Sequence, residues 1–243
     1  SLRRIAEENN ISLLTSFRLR HKVLCALQQF IDNIKLSGEI QSDEKYFSIN
    51  LKGTKPSNMP RFSKKRTSTK SSCRGISHHK VCVASSIDEN DNLMLKIVGL
   101  GRCTTKMLEN SLGQKINNAK SVITDSASAY QQFCKDNKLI LHAIPSGFHS
   151  DGIYNIAEIN GVHSQLETWL TKFRGVSTRH FQEYLNWFVY VFIMKKRFML
   201  NKIKTESYSK ILTNDNYIKS KDIFNIKMPI DLRIAYAEYL NQS

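Results

Sequence analysis

Two carboxylates, Asp43 and Asp125, and one helix face carry the residue types that phosphoryl transfer on DNA requires. That chemistry uses two divalent cations about 4 Å apart, one at the attacking oxygen and one at the leaving oxygen, so its ligands must converge on one point. Mg²⁺ takes hard oxygen donors, often few, with water completing its octahedron. Asp43 lies inside residues 39–50, where Tyr46, Phe47 and Ile49 favour a strand, and Asp125 ends the short strand predicted over 121–124. Singly, each would pass for an ordinary turn or strand-end aspartate. The spacing adds weight: the 35 positions from Asp125 to Asn160 suffice for a helix, a strand, a loop and entry into a second helix, returning the chain to the same sheet edge. On that helix Asn160, His163, Ser164 and Glu167 occupy relative positions 0, 3, 4 and 7 and share a face, while Glu158 points about 200° from Asn160. Glu167 lies two turns beyond Asn160, roughly 10 Å away, too far for both to ligate one ion directly.

The elements that must position these residues follow from periodicity. Residues 2–30 fit two helices broken near Asn9 and Asn10, with Ser12 as an N-cap. This helix-turn-helix-like segment either contacts DNA through Arg18, Arg20 and Lys22 or is a packing hairpin with a solvated basic face. The strand bearing Asp43 and the apolar runs 81–87 and 93–100, split by the turn residues 88–92, predict an antiparallel meander. A helix over 104–112, the strand leading to Asp125, a helix over 126–137, a strand over 139–144, a glycine-containing loop over 145–155 and a helix over 156–172 complete the order. That order matches the ribonuclease-H-like fold by analogy: an α/β, mixed sheet flanked by helices. Three regions result: a helical segment over 1–36, a catalytic domain over 37–200, and a basic helical tail over 201–243.

Composition narrows the partner. Lys and Arg number 36 against 21 Asp and Glu, a net charge of +15, which calls for a polyanion. Between Lys52 and Lys80 nine basic residues meet no acidic one, a basic arm over 52–80 whose Lys64, Lys65, Arg66, Lys70 and Arg74 suit phosphate contact. Lys172, Arg174, Arg179 and His163 are further candidates for binding DNA, although a His on a helix face is as often structural. Trp169, Phe173, Phe181, Tyr184, Leu185 and Phe188 recur at helical intervals and read as core. The longest apolar run, 187–194, is far short of the roughly 18 residues a membrane span needs, so no membrane partner is expected. Five scattered cysteines without a C-x-x-C pair indicate neither a disulfide framework nor a zinc ribbon and fit a reducing cytoplasm. The missing Met and the helical opening residues leave room for an N-terminal DNA-binding module ahead of Ser1.

The segments SGEIQSDEKYF, VCVASSIDENDN, VITDSASAY and INGVHSQLETWLTKFRGVSTRHFQEYLNW, with TSFRLRHKVLCAL and MPRFSKKRTSTKSSCRGIS, resemble the insertion-sequence fifteen-ninety-five, or ISXO-two-like, transposases from about Ile5 to Met194. The resemblance implies DNA strand cleavage and transfer at insertion-sequence ends by a D-D-E or D-D-N site using Mg²⁺ or Mn²⁺. Asp43, Asp125 and Asn160 then fall at the metal-holding positions, with Glu167 as a further catalytic candidate. Asn160 would offer a neutral carbonyl oxygen. The implied setting is a bacterial, cytoplasmic, nucleoid-associated protein acting as a homo-oligomer on double-stranded DNA, both element ends and target. Two residues depart from the family pattern: Glu167 stands where a Lys is usual and Asn155 where a His is common. Glu167 either supplies a carboxylate or repels the scissile strand. The rival readings are a ribonuclease-H-like nuclease or resolvase and a DNA-binding protein that has lost catalysis.

Overall fold

A computed structural model describes residues 1–54, 59, 79–125, 128–145, 148, 150–197, 218–233 and 235–236. A short helix, α1 (Leu2–Glu8), and a 20-residue helix, α2 (Leu13–Asp32), open the chain, with Ser12 accepting the Thr15 backbone N–H as the expected N-cap. Next come β1 (Leu36–Ser48), β2 (Lys80–Asp88) and β3 (Leu93–Leu100), then a short helix α3 (Thr105–Leu108) that widens into a π-turn over Glu109–Gly113. The chain continues through β4 (Ile116–Asp125), α4 (Ser128–Asp136) and β5 (Ile140–Ile144). A two-residue ribbon, β6 (Ser150–Asp151) and β7 (Tyr154–Asn155), precedes α5 (Ala157–Thr171) and α6 (Phe181–Arg197).

Five strands form one sheet in the order β3-β2-β1-β4-β5, antiparallel across the first three and parallel across β1-β4-β5. This is the ribonuclease-H-like mixed sheet expected from the sequence, with β1 at its centre. The expected helix over 104–112 is shorter because Ser111 turns its hydroxyl back onto the Met107 and Leu108 carbonyls, and the ladder widens there. The strand leading to Asp125 begins earlier, at Ile116.

The pleat of β1 splits its side chains between the two faces. Ile40, Ser42 and Glu44 face α4, whose Tyr130 and Phe133 are fully buried; Gln41, Asp43 and Lys45 face α5. α6 lies along β3, where the Gln182 side chain accepts from the Ile97 N–H and donates to the Leu95 carbonyl, covering the sheet's edge. α2 packs on α6, so Leu24 and Leu27 are buried with Tyr184 and Tyr190. Arg18 and Arg20, read as possible DNA contacts, lie over the Phe224 and Trp187 rings. The run 187–194 is a buried helix, as expected, and no described helix is long and apolar enough to cross a membrane. The cysteines described, Cys25, Cys82, Cys103 and Cys134, are free thiols.

One irregularity sets the level of the two aspartates. Leu36 pairs with Ile116, Gly38 with Ala119 and Glu39 with Ser121, so the numerical offset between β1 and β4 grows from 80 to 82 before the ladder runs on to Gln41 and Ile123. Two more residues at that offset bring Asp125 opposite Asp43; without the bulge, Ile123 would stand there. Gly38 on β1 and Asn118 on β4 both take left-handed backbone to make it, at φ +66° and +56°. A Cβ at Gly38 would run into the exposed, movable Glu89 side chain. Gly38→Ala is therefore expected to cost about 1–2 kcal/mol, chiefly in backbone conformation, measurable by urea unfolding.

Candidate active site

Three contacts run in step along β1 and α5. Gln41 Oε1 accepts the backbone N–H groups of Glu158 and Ile159 at 3.1 and 3.2 Å, capping the helix from the neighbouring strand. Two residues on, Asp43 Oδ2 lies 3.5 Å from His163 Nδ1; two more on, Lys45 Nζ lies 2.9 Å from Glu167 Oε1. Two strand residues advance about 6.6 Å and four helix residues about 6 Å, so parallel elements keep this register without strain. Asn155 Oδ1 accepts the Ala157 N–H at 3.1 Å, so Asn155 opens α5.

Asp43 is the half-buried member of the aspartate pair and Asp125 the exposed one. The Glu44 N–H donates to Asp43 Oδ1 at 2.8 Å, fixing one carboxylate oxygen. Burial pushes the Asp43 carboxyl up to about 6, with the Asp125 charge adding to the rise and the Glu44 N–H and Lys45 opposing it. The two carboxylates are thus close enough for the charge of one to disfavour ionisation of the other. Oxygen donors crowded in partial burial suit a hard divalent cation, which would offset the repulsion between them.

His163 is 4% exposed, and burial first, then Lys45, lowers its imidazole to about 4, so it is neutral at neutral pH. Its Nε2 is buried without a hydrogen-bond partner. It therefore sits against Asp43 and not on the surface where a DNA phosphate would meet it. Asn160 is half-buried on α5, one turn before His163, and its backbone carbonyl accepts the Ser164 hydroxyl. Glu167 is paired with Lys45, with side-chain exposures of 56% and 29%. Lys172 and Arg174 are exposed, and Arg179 donates to the Phe224 carbonyl at 3.2 Å. Lys64, Lys65, Arg66, Lys70 and Arg74 lie outside the described residues. A cavity of about 300 Å³ opens at the N-terminal end of α5, between Glu39, Gln41, Asp88, Glu89, Asn155 and Glu158, beside the aspartates and not over them.

Three residues of this frame carried no signal that sequence reasoning used. Gln41 and Lys45 share the Asp43 face by the two-residue strand period, which was legible once β1 was assigned. Glu44 was not: its carboxyl is buried on the opposite face near Tyr130 and Cys103, pushed up to about 7 by burial first and then by Asp43 and Asp125. A Glu next to an active-site Asp reads as a second surface acid until the opposite layer is known.

A family model described as the ISXO2-like transposase domain matches residues 35–192, more than half of the chain. No curated protein matches. Among solved structures, a chain of the simian T-cell lymphotropic virus intasome in complex with PP2A regulatory subunit B56 gamma is 12% identical with a TM-score of 0.36, covering 79% of this chain and 55% of that one. A chain of the pre-cleavage Mos1 transpososome is also 12% identical, with a TM-score of 0.26 and coverage of 90% and 75%. Likenesses that low carry no argument, and this chain spans about half the length of the intasome chain.

The raised Asp43 carboxyl yields a stability prediction. Between the ordinary aspartate value of 3.8 and about 6 the unfolded state has lost its proton while the folded state keeps it, so stability falls as pH rises through that window. Asp43→Asn is expected to stabilise the cation-free fold at pH 7 by about 1–3 kcal/mol, with the gain gone near pH 4. Chemical denaturation at the two pH values checks this, and an equal gain at both would assign it to packing.

Proposed function

The chain belongs to the ISXO2-like transposase family, and from that premise we propose that it cuts and rejoins DNA at insertion-sequence ends in a divalent-metal-dependent reaction. The observation that carries the reading is the bulged β1–β4 register, which, continued two residues past the Gln41–Ile123 pair, would bring Asp125 level with Asp43. Asp43, Asp125 and the Asn160 carbonyl are the groups that would hold Mg²⁺ or Mn²⁺, which when bound polarises the phosphate and eases ionisation of the attacking hydroxyl. The chain's own residues do the positioning. The Glu44 N–H holds one oxygen of Asp43, His163 packs against the other as a neutral imidazole, and Gln41 anchors the helix that presents Asn160. Water, or a DNA 3′-hydroxyl in the joining step, gives up its proton and attacks the phosphodiester in line; the opposite P–O ester bond breaks, its oxygen leaving as a protonated DNA hydroxyl, and no bond to the protein forms.

The net charge of +15 supports double-stranded DNA as partner, with the basic arm over 52–80 and the exposed Lys172 and Arg174 holding phosphates. Two element ends handled together imply a homo-oligomer on DNA. The division into a helical segment (1–36), a catalytic domain (37–200) and a basic tail (201–243) belongs to the same reading.

Glu167 motivates a second reading, a DNA-binding protein without catalysis, because an anion replaces the cation expected there. The Lys45 pairing argues for activity instead: the cation is still present at that level of the site, carried by the strand, and Glu167 is its counter-ion. On DNA bearing the element's ends, with Mn²⁺ or Mg²⁺, wild type is expected to give nicked products and strand-transfer joints, and Asp43→Ala and Asp125→Ala neither. Equal cleavage by all three proteins sinks the site, and cleavage without joints makes the chain a nuclease. Glu167→Lys sets two lysines side by side and should lower product yield and cost up to about 1 kcal/mol, while Lys45→Glu combined with Glu167→Lys recovers part of both.

A further inference from the structure

Away from the aspartates, α2 meets the start of α6 through three side chains that the proposed reaction does not use. His21 projects from α2, His180 ends the 3₁₀ turn Thr178–His180, and Glu183 lies in the first turn of α6. One potential ligand atom from each lies within 4.8 Å of the other two, an arrangement no other three His, Cys, Asp or Glu side chains make among the described residues. His21 Nδ1 is 2.6 Å from Glu183 Oε2 and His180 Nδ1 is 3.5 Å from the same oxygen. The two imidazoles approach each other at 4.3 Å between ring centroids.

These groups are out of water. The His21 residue is 1% exposed, and the side chains of His180 and Glu183 are 15% and 14% exposed. A metal-free reading explains part of the cluster, because His21 and Glu183 satisfy each other in a short hydrogen bond. It leaves His180 Nδ1, which is buried and makes no hydrogen bond although it faces the carboxylate. An orphaned imidazole nitrogen beside a second imidazole and a carboxylate has the chemistry of an incomplete coordination sphere.

We propose that His21, His180 and Glu183 form a binding site for a divalent transition-metal ion, zinc by its donor chemistry, that pins α2 to the start of α6. Two imidazole nitrogens and one carboxylate oxygen are a donor set zinc accepts and Mg²⁺ does not favour. Zinc bonds of about 2.0–2.1 Å put tetrahedral ligand atoms about 3.4 Å apart, so His180 already stands at ligand spacing and the His21–Glu183 pair opens by under about 1 Å. Binding releases the proton that His21 and Glu183 share. The fourth position goes to water. Phe17, 4.4 Å from the His21 ring and stacked on Phe224, closes one side with apolar surface. The site joins the N-terminal helical segment to the layer that carries the catalytic sheet's edge.

The test uses the full chain carrying Asp43→Ala and Asp125→Ala, so that the proposed catalytic site takes no metal, with ZnCl₂ or CoCl₂ as the probe. One equivalent of Zn²⁺ is expected to raise Tm, and Co²⁺ to give the intense visible absorption of a four-coordinate site. Both responses are lost on adding His180→Ala, with circular dichroism unchanged. The same Tm rise in the His180→Ala protein, or no zinc uptake by the parent, overturns the proposal and leaves a metal-free histidine–carboxylate network. Should His180→Ala unfold, X-ray absorption of the zinc-loaded parent decides: two imidazoles in the coordination shell uphold the site, and an all-oxygen shell refutes it.

Discussion

The register of β1 against β4 is the constraint on which the rest of the structure depends. Two central strands paired in parallel have one way to bring Asp43 level with Asp125, and the bulge around Gly38 and Asn118 supplies it by shifting the offset two residues. A shift of two keeps every side chain on its own face, so the core is unaffected, whereas a shift of one would turn Val122 and Thr124 out of it. The bulge therefore changes which residue stands beside Asp43 without changing what is buried. Its cost is two residues in left-handed backbone, one of them a non-glycine.

From β1 the order propagates to α5. A strand side chain, Gln41, caps the helix, so the helix start is tied to the strand rather than to its own leading residues. The pairs further along, Asp43 with His163 and Lys45 with Glu167, then fall into step. Charge is managed along the same line. The interior pair places a neutral imidazole against an acid that burial has made reluctant to ionise, and the outer pair neutralises itself near solvent. Glu44, on the other face, adds a second reluctant acid to the same strand. A fold that gathers acids in this way is less stable above their raised titration range than one with amides there.

Glu167 looks different once Lys45 is placed. Read along the chain, it is a lone acid on an exposed helix face; read across the strand–helix contact, it is half of a pair whose positive member sits on β1. A similar contrast holds at the N-terminal helices. Their basic residues left DNA contact and a packing hairpin both open; in the fold Arg18 and Arg20 lie across aromatic rings and α2 is packed on α6.

What the sequence by itself determined is the set of elements and the faces of each. Period two over residues 39–50, period 3.6 over 156–172, the turn residues 88–92 and the Ser12 cap are local signals, written in neighbours a few positions apart. They were enough for the order of elements, from which the mixed sheet followed by analogy. What only the tertiary structure decided depends on residues distant in the chain: the two-residue bulge, the capping of α5 by Gln41, the burial of Glu44, and the meeting of His21 with His180 and Glu183. The physical reason is that register, desolvation and ligand spacing belong to surfaces in contact. A side chain's charge state and partner follow from what packs over it, and no periodicity in its own segment records that.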